Sequence, residues 1–199
     1  MEPTAIVVLV VVVLLLVGLA AAGVLLARKR RSEQLQEHYG PEYDRTLAET
    51  GDPQEAEAVL REREQRHDEV DVRELDPAER ERFTTSWGDV QRDFVDDPVG
   101  AVRRADALVV DIMRTRGYPV DDADRRTEDV SVAHPGVVQQ YRDARAVREA
   151  TENGPVDTEQ QRHAVTSYRA LVEALLGQAA TADPTTNGRH VPTREEHTR

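Results

Sequence analysis

The six histidines are the side chains best suited to metal binding or proton transfer, so their spacing is the first guide to chemistry. A zinc protease motif places two histidines four residues apart on one face of a helix. No two histidines of this chain have that separation, and the sequence therefore predicts no metal site of this kind. The six are His38, His67, His134, His163, His190 and His197.

The acidic cluster of Asp121, Asp122 and Asp124 is a second candidate, because calcium loops carry oxygen ligands at alternating positions. The next such position is Arg126, and the glycine and distal glutamate of a calcium loop are missing. We therefore expect these carboxylates to cap a helix and to face solvent.

Motifs for nucleophilic catalysis and nucleotide binding are absent from the sequence. No serine lies in a Gly-x-Ser-x-Gly turn, and neither common glycine-rich phosphate loop occurs. The chain has no cysteine, which excludes disulfides and thiolate nucleophiles. The sequence accordingly predicts a protein that is not an enzyme and that has no cofactor and no metal.

Residues 5–27 are the most apolar stretch of the chain and contain no charged side chain. As a helix, this stretch would rise about 34 Å, enough to cross a hydrocarbon core of about 30 Å. Basic residues next to a span are retained in the cytoplasm. We therefore predict a single-pass protein of the cell membrane, with residues 1–4 outside and the C-terminal part cytoplasmic. The basic cluster that sets this topology and faces the lipid is Arg28, Lys29, Arg30 and Arg31.

Two features of the apolar stretch leave alternatives open. Cleavage between Ala20 and Gly23 would release a secreted helical protein, although signal peptides carry their basic residues before a shorter apolar segment. Gly18 and Ala22 have the spacing of closely packed membrane helices, which leaves a homo-oligomer possible.

The remainder of the chain is acidic and has helical patterning. The net charge is −12, and because an acidic surface repels phosphate backbones, we expect no nucleic acid partner. Residues 32–75 are too polar to form a core alone. We expect them to form an acidic, partly exposed neck.

Apolar residues beyond the neck recur at the spacing of a helix. Phe83, Trp87, Val90 and Phe94 follow one another at intervals of four, three and four, which predicts one core stripe. Prolines, capping residues and glycines predict where the helices begin and end. Four helices are predicted at 41–50, 53–67, 98–117 and 135–153, two more begin at 77 and 157, and a short one lies within 121–129.

The predicted fold class is therefore all-α, with a single N-terminal transmembrane helix, an acidic helical neck and a small helical bundle. The predicted boundaries are 1–4 for the extracytoplasmic N-terminus, 5–27 for the span, 28–75 for the basic tetrad and neck, 76–178 for a bundle of about four helices, and 179–199 for a disordered tail.

Two segments resemble a known group of proteins. They are EHYGPEYDRTLAETGD (residues 37–52) and FVDDPVGAVRRADALVVDIMRTRGYPV (residues 94–120). They resemble uncharacterised small single-pass membrane proteins of actinobacteria, over most of residues 28–150. No activity is assigned to that group, so the resemblance implies a membrane location and no chemistry.

The leading hypothesis is a membrane-anchored cytoplasmic protein that acts as an interaction or scaffolding module. Its partners would be the lipid bilayer, through residues 5–27, and an unknown protein. The alternative is a ligand-binding or hydrolytic domain whose site is assembled from scattered Asp, Glu, Arg and His residues and is not recognisable from sequence. A deep polar pocket near His134 and His163 would favour it.

Overall fold

A computed structural model describes the backbone of residues 3–177, with the side chains from Lys29 onward and a few earlier ones. All regular elements of this part are helices, which confirms the predicted all-α class. The described helices are α1 (Pro3–Tyr39), α2 (Pro41–Thr50), α3 (Pro53–Asp68), α4 (Pro77–Asp93), α5 (Pro98–Thr115), α6 (Ala123–Ala133), α7 (Val138–Asn153) and α8 (Thr158–Leu175).

Two predicted segments lie largely beyond what the structure describes. Within the described residues, no helix combines the length and the hydropathy needed to cross a membrane. Most side chains of the predicted span, residues 5–27, lie outside the described set, and so does the predicted tail, residues 179–199. The span and the tail therefore stay predictions.

Aspartate side chains cap the starts of five helices by accepting backbone N–H bonds, which satisfies donors that have no partner inside the helix. At α4 the arrangement is reciprocal: the Glu79 N–H donates to Asp76 at 2.8 Å, and the Asp76 N–H donates to the Glu79 carboxylate at 3.0 Å. The five caps are Asp52, Asp76, Asp97, Asp122 and Asp157. The acidic cluster at the start of α6 thus contains a helix cap.

The bundle core lies mainly between α5 and α8, which pack against each other, with α4 against α5 and α7 against α8. The α4 stripe faces this core: Phe83, Trp87 and Val90 are 1%, 8% and 5% exposed. Phe94 is half-buried and packs against the same core. Helices α5 and α8 contribute fully buried residues at helical spacing, including Val102, Val109, Ile112, Met113, Leu171 and Val172.

The described part of the bundle contains five helices, α4 to α8, where about four were expected. The short helix expected within 121–129 is a full element of the bundle, α6, which covers Ala123–Ala133. The next helix begins at Val138, later than the expected Pro135. A residue before proline avoids the helical conformation, and His134 accordingly ends α6. The Val137 N–H donates to the His134 carbonyl at 3.0 Å, which closes the turn before α7.

The neck has a small apolar core, which the sequence analysis did not expect. Leu35 and Tyr39 at the end of α1 pack with Tyr43 of α2 and Leu60 of α3, and Leu47 lies at the edge. Three helices each contribute one or two large side chains to the same point. The segment is polar on average, but these few residues share one interior.

The linker after α3 lies against the end of α5. The Arg73 N–H donates to the Arg116 carbonyl at 2.8 Å. Gly117 has a φ of +97°, and a Cβ atom there would lie 2.6 Å from the Asp71 carbonyl oxygen. Only glycine fits both this backbone conformation and this approach, so Gly117 ends α5 and lets the linker pass.

Candidate functional site

Glu42 lies where the neck meets the bundle, and its side chain is only 2% exposed. Arg142 of α7 donates to both carboxylate oxygens, each at 2.6 Å, and Arg63 of α3 donates to Oε1 at 3.0 Å. We call these three residues the Glu42 cluster. Because Arg142 is 100 positions away in the chain, the cluster joins three helices that belong to both parts of the protein.

Local sequence explains why Glu42 points inward. It follows Pro41, which starts α2, and Tyr43 beside it enters the neck core. The Thr46 hydroxyl one turn later donates to the Glu42 carbonyl at 2.9 Å. The inner face of α2 therefore carries a carboxylate next to apolar side chains. A buried carboxylate needs partners to offset the loss of hydration, and the two arginines supply them.

A second set of contacts between α3 and α6 supports the same junction. Arg66 lies 3.0 Å from the Glu128 carboxylate. Arg125 donates to the Arg66 carbonyl at 3.1 Å and lies 3.4 Å from Asp129. Asp129 is 2% exposed. These contacts hold the C-terminal half of α3 on α6.

Four titratable side chains, those of His67, Tyr118, Asp129 and His134, lie close together beside these contacts. His67 Nδ1 lies 3.5 Å from Asp129 Oδ1, and the His67 ring contacts the Tyr118 ring at a centroid distance of 5.8 Å. His134 lies close enough to His67 for their charges to interact, and its buried Nε2 has no hydrogen-bond partner among the described residues. Histidine and carboxylate side chains of this kind can bind a metal ion or transfer a proton. In the described part of the chain, however, no set of three or more His, Asp or Glu side chains is arranged to hold a metal ion.

Burial, the Arg116 guanidinium and His67 together lower the pKa of His134 from 6.5 to about 4, and burial contributes most. The folded protein therefore disfavours the protonated imidazole, whereas the unfolded chain accepts the proton near pH 6.5. The resulting stabilisation is complete above pH 6.5 and is lost as the pH falls from 6.5 towards 4.

We expect acidification from pH 7 to pH 4.5 to lower the free energy of unfolding of the wild-type protein by about 2 to 3 kcal/mol more than that of the His134→Gln variant. The variant has no imidazole at this position to protonate. Chemical unfolding of the full chain at both pH values measures this difference. His163→Gln is the control, because His163 is exposed on α8, and it should behave like the wild type. If acidification lowers the unfolding free energy of wild type and His134→Gln equally, the lowered pKa of His134 is contradicted.

A groove about 500 Å³ in volume opens between the end of α1 and the start of α3. Of the residues that the structure describes, three of α1 and three of α3 line it, and we call it the α1–α3 groove. A smaller groove of about 290 Å³ continues towards Leu35 and shares Arg31 and Arg61. The residues that line the α1–α3 groove are Lys29, Arg31, Ser32, Gln54, Glu57 and Arg61.

The sequence-predicted residues lie in three places. Lys29, Arg30 and Arg31 of the basic tetrad are exposed on α1, and the Arg28 side chain lies outside the described residues. The stripe from Phe83 to Phe94 lies in the bundle core. His134 is largely buried at the end of α6, whereas His163 is exposed on α8, and neither lines a groove described here.

The sequence does not reveal the Glu42 cluster or the contribution of Arg61 to the groove. Glu42 is one of 38 acidic residues, and its pairing depends on the packing of α2 against α3 and α7. The one available signal was Tyr43, because a tyrosine beside the glutamate indicates that this part of α2 is near a core.

No known protein family, curated protein or solved structure matches the chain. The resemblance to small actinobacterial membrane proteins therefore stays an expectation from the sequence.

Proposed function

We propose that this is a membrane-anchored cytoplasmic protein that holds a helical bundle at a fixed position beside the bilayer, where the bundle docks a protein partner. The observation that carries the proposal is the continuity of α1. This helix runs without interruption from Pro3 to Tyr39, through the apolar stretch and the basic tetrad, and it ends in the neck core.

Exposed leucines support the anchor. Leu15, Leu16, Leu19 and Leu26 on α1 are each at least 61% exposed. Large apolar side chains that cluster on one surface indicate a contact with lipid or with another apolar surface. The basic residues that follow favour an orientation with the bundle in the cytoplasm.

The path from α1 to the bundle supports a rigid connection. Tyr39 at the end of α1 is 1% exposed in the neck core, and Glu42 three residues later contacts Arg142 of the bundle. The distance along α1 from Ala27 to Tyr39 is about 18 Å. A bundle held in this way would present its surface at a defined height above the bilayer.

The polar group of Asp106, Arg148 and Tyr168 in the bundle supports an interaction role over a catalytic one, because these side chains contact one another. Asp106 accepts a hydrogen bond from the Tyr168 hydroxyl at 3.0 Å and lies 3.3 Å from Arg148. Such groups fix helix positions and are not available to a substrate.

Cysteine labelling tests the orientation, since the chain has no cysteine of its own. Two single-cysteine variants are needed, Thr4→Cys before the apolar stretch and Val95→Cys in the α4–α5 turn, where Val95 is 82% exposed. We expect a membrane-impermeant maleimide to label Thr4→Cys in intact cells and Val95→Cys only after lysis. The protein should also stay in the membrane fraction after an alkaline carbonate wash.

Other outcomes would overturn specific parts of the proposal. Labelling of Val95→Cys in intact cells would contradict the proposed orientation, and release of the protein by carbonate would contradict the anchor.

Docking is tested with a thiol-directed cross-linker at Val95→Cys in intact cells. A specific adduct with another protein is expected there, and the absence of any adduct from several exposed bundle positions would contradict docking.

A further inference from the structure

The α1–α3 groove has an unbalanced charge. Among the described residues that line it, Lys29, Arg31 and Arg61 contribute three positive charges, and Glu57 is the one acidic residue. Serine and glutamine side chains supply neutral hydrogen-bonding groups beside them. The groove is therefore a basic, polar recess in a protein whose net charge is −12.

The basic groups of the groove are incompletely paired. Lys29 lies 3.9 Å from Glu33 in a highly exposed pair, and Arg61 lies 3.1 Å from Glu57. Arg31 has no ion-pair partner among the residues that the structure describes. The buried Nε of Arg61 likewise has no hydrogen-bond partner there. Guanidinium groups with free donors match the oxygen atoms of a phosphate.

With residues 5–27 across the bilayer as proposed above, the helix lengths would put the end of the groove at Lys29, Ser32 and Gln54 at the level of lipid headgroups. Lys29 and Ser32 follow the end of the apolar stretch by about 3 and 8 Å along α1. The polar layer on each side of a bilayer is about 5 to 8 Å thick. Helix α2 leads the chain back over about 15 Å, so the start of α3, with Gln54, lies beside Lys29 again.

We propose that the α1–α3 groove binds the phosphate of an anionic phospholipid headgroup, with Arg31 and Arg61 as its principal ligands. This inference rests on the proposed membrane anchor. It adds a specific site, formed jointly by two helices, to the general attraction between a basic tetrad and an anionic surface. Arg61 is 30 positions beyond Arg31 in the chain and does not belong to the tetrad.

Native mass spectrometry of the full chain, released from mixed phosphatidylglycerol and phosphatidylcholine nanodiscs, measures which lipid stays bound. We expect preferential retention of phosphatidylglycerol by the wild type. Arg61→Gln should weaken that preference about fivefold, because one charge near the surface is removed. Arg45→Gln is the matched control: Arg45 also pairs with a glutamate four residues away and is 42% exposed, against 39% for Arg61, but it does not line the groove.

A gain of affinity provides the sharper test, because damage to the fold cannot cause it. Glu57→Gln removes the groove carboxylate that pairs with Arg61 and so frees Arg61. We expect this variant to retain phosphatidylglycerol about fivefold better than the wild type. The Glu49→Gln variant, which frees Arg45 in the same way, should show no gain.

The outcomes separate the site from the anchor. A protein that resists carbonate extraction but binds both lipids equally would overturn the groove proposal and leave the anchor intact. If Arg61→Gln and Arg45→Gln weaken the preference for phosphatidylglycerol equally, general surface charge explains the preference, and the groove proposal is overturned. Calorimetric titration with inorganic phosphate distinguishes the ligand source. Binding of inorganic phosphate that requires Arg61, without selective retention of phosphatidylglycerol, would replace the lipid by a soluble phosphate and overturn the assignment.

Discussion

The Glu42→Ala variant is expected to lose about 3 to 5 kcal/mol of unfolding free energy, because it removes the carboxylate shared by two largely buried guanidinium groups. Two guanidinium groups would remain in the junction, where Arg63 and Arg142 are only 12% and 16% exposed. Their three hydrogen bonds to Glu42 would be lost, and Arg63 would keep only its 3.9 Å contact with Glu128. Chemical unfolding of the full chain in a mild detergent measures the loss.

The location of the damage is as informative as its size. The neck core consists of a few side chains around Tyr39 and Leu60, so the neck depends on its contacts with the bundle. We expect hydrogen exchange in Glu42→Ala to accelerate most in α2 and α3, where protection depends on the junction. Exchange in α5 should change least, because its buried face belongs to the larger core.

Glu49→Ala is the control, because Glu49 lies on the same helix and also pairs with an arginine, Arg45, at 2.8 Å. Both side chains of that pair are exposed, and exposed pairs four residues apart contribute about 0.3 to 0.5 kcal/mol. If Glu42→Ala and Glu49→Ala have equal unfolding free energies, the Glu42 cluster does not hold the junction. Combining Glu42→Ala with Arg142→Ala should cost less than the sum of the single changes, because the two side chains interact.

The boundaries of most helices could be predicted because their signals are local. An aspartate before a proline, as at Asp52 and Asp97, sets the start of a helix through bonds within three residues. The stripe containing Phe83 and Trp87 could be found because its spacing depends only on helix geometry. Such features need no knowledge of the tertiary fold.

The junction and the groove could not be predicted, because they depend on which helices become neighbours. Tyr43 beside Glu42 indicates a nearby core but does not identify α7 as the partner, so the sequence does not reveal that Glu42 is buried against α7 while Glu49 is exposed. Arg61 reads as half of an exposed helix pair, and its place beside Arg31 follows only from the return of the chain through α2. Charged side chains carry no periodic signal that reveals such distant partners.

The Trp87→Ala variant is expected to lose about 3 to 5 kcal/mol, through lost apolar burial and the cavity that remains. Trp87 is 8% exposed in the middle of the α4 stripe, and α4 packs chiefly against α5. Because neighbours on both sides, Phe83 and Val90, are already buried, α4 cannot close the gap without displacing them. The melting temperature should fall by about 10 °C.

Circular dichroism is the suitable measurement for this variant, because Trp87 is the only tryptophan and its removal abolishes the fluorescence signal. Val95→Ala is the control: Val95 lies in the turn that follows α4 and is 82% exposed, so its truncation should cost less than about 0.5 kcal/mol. An unchanged melting temperature for Trp87→Ala would mean that the side chain does not pack in the core. In that case α4 would not be fixed on α5, and the bundle would lose the rigid surface that docking a partner requires.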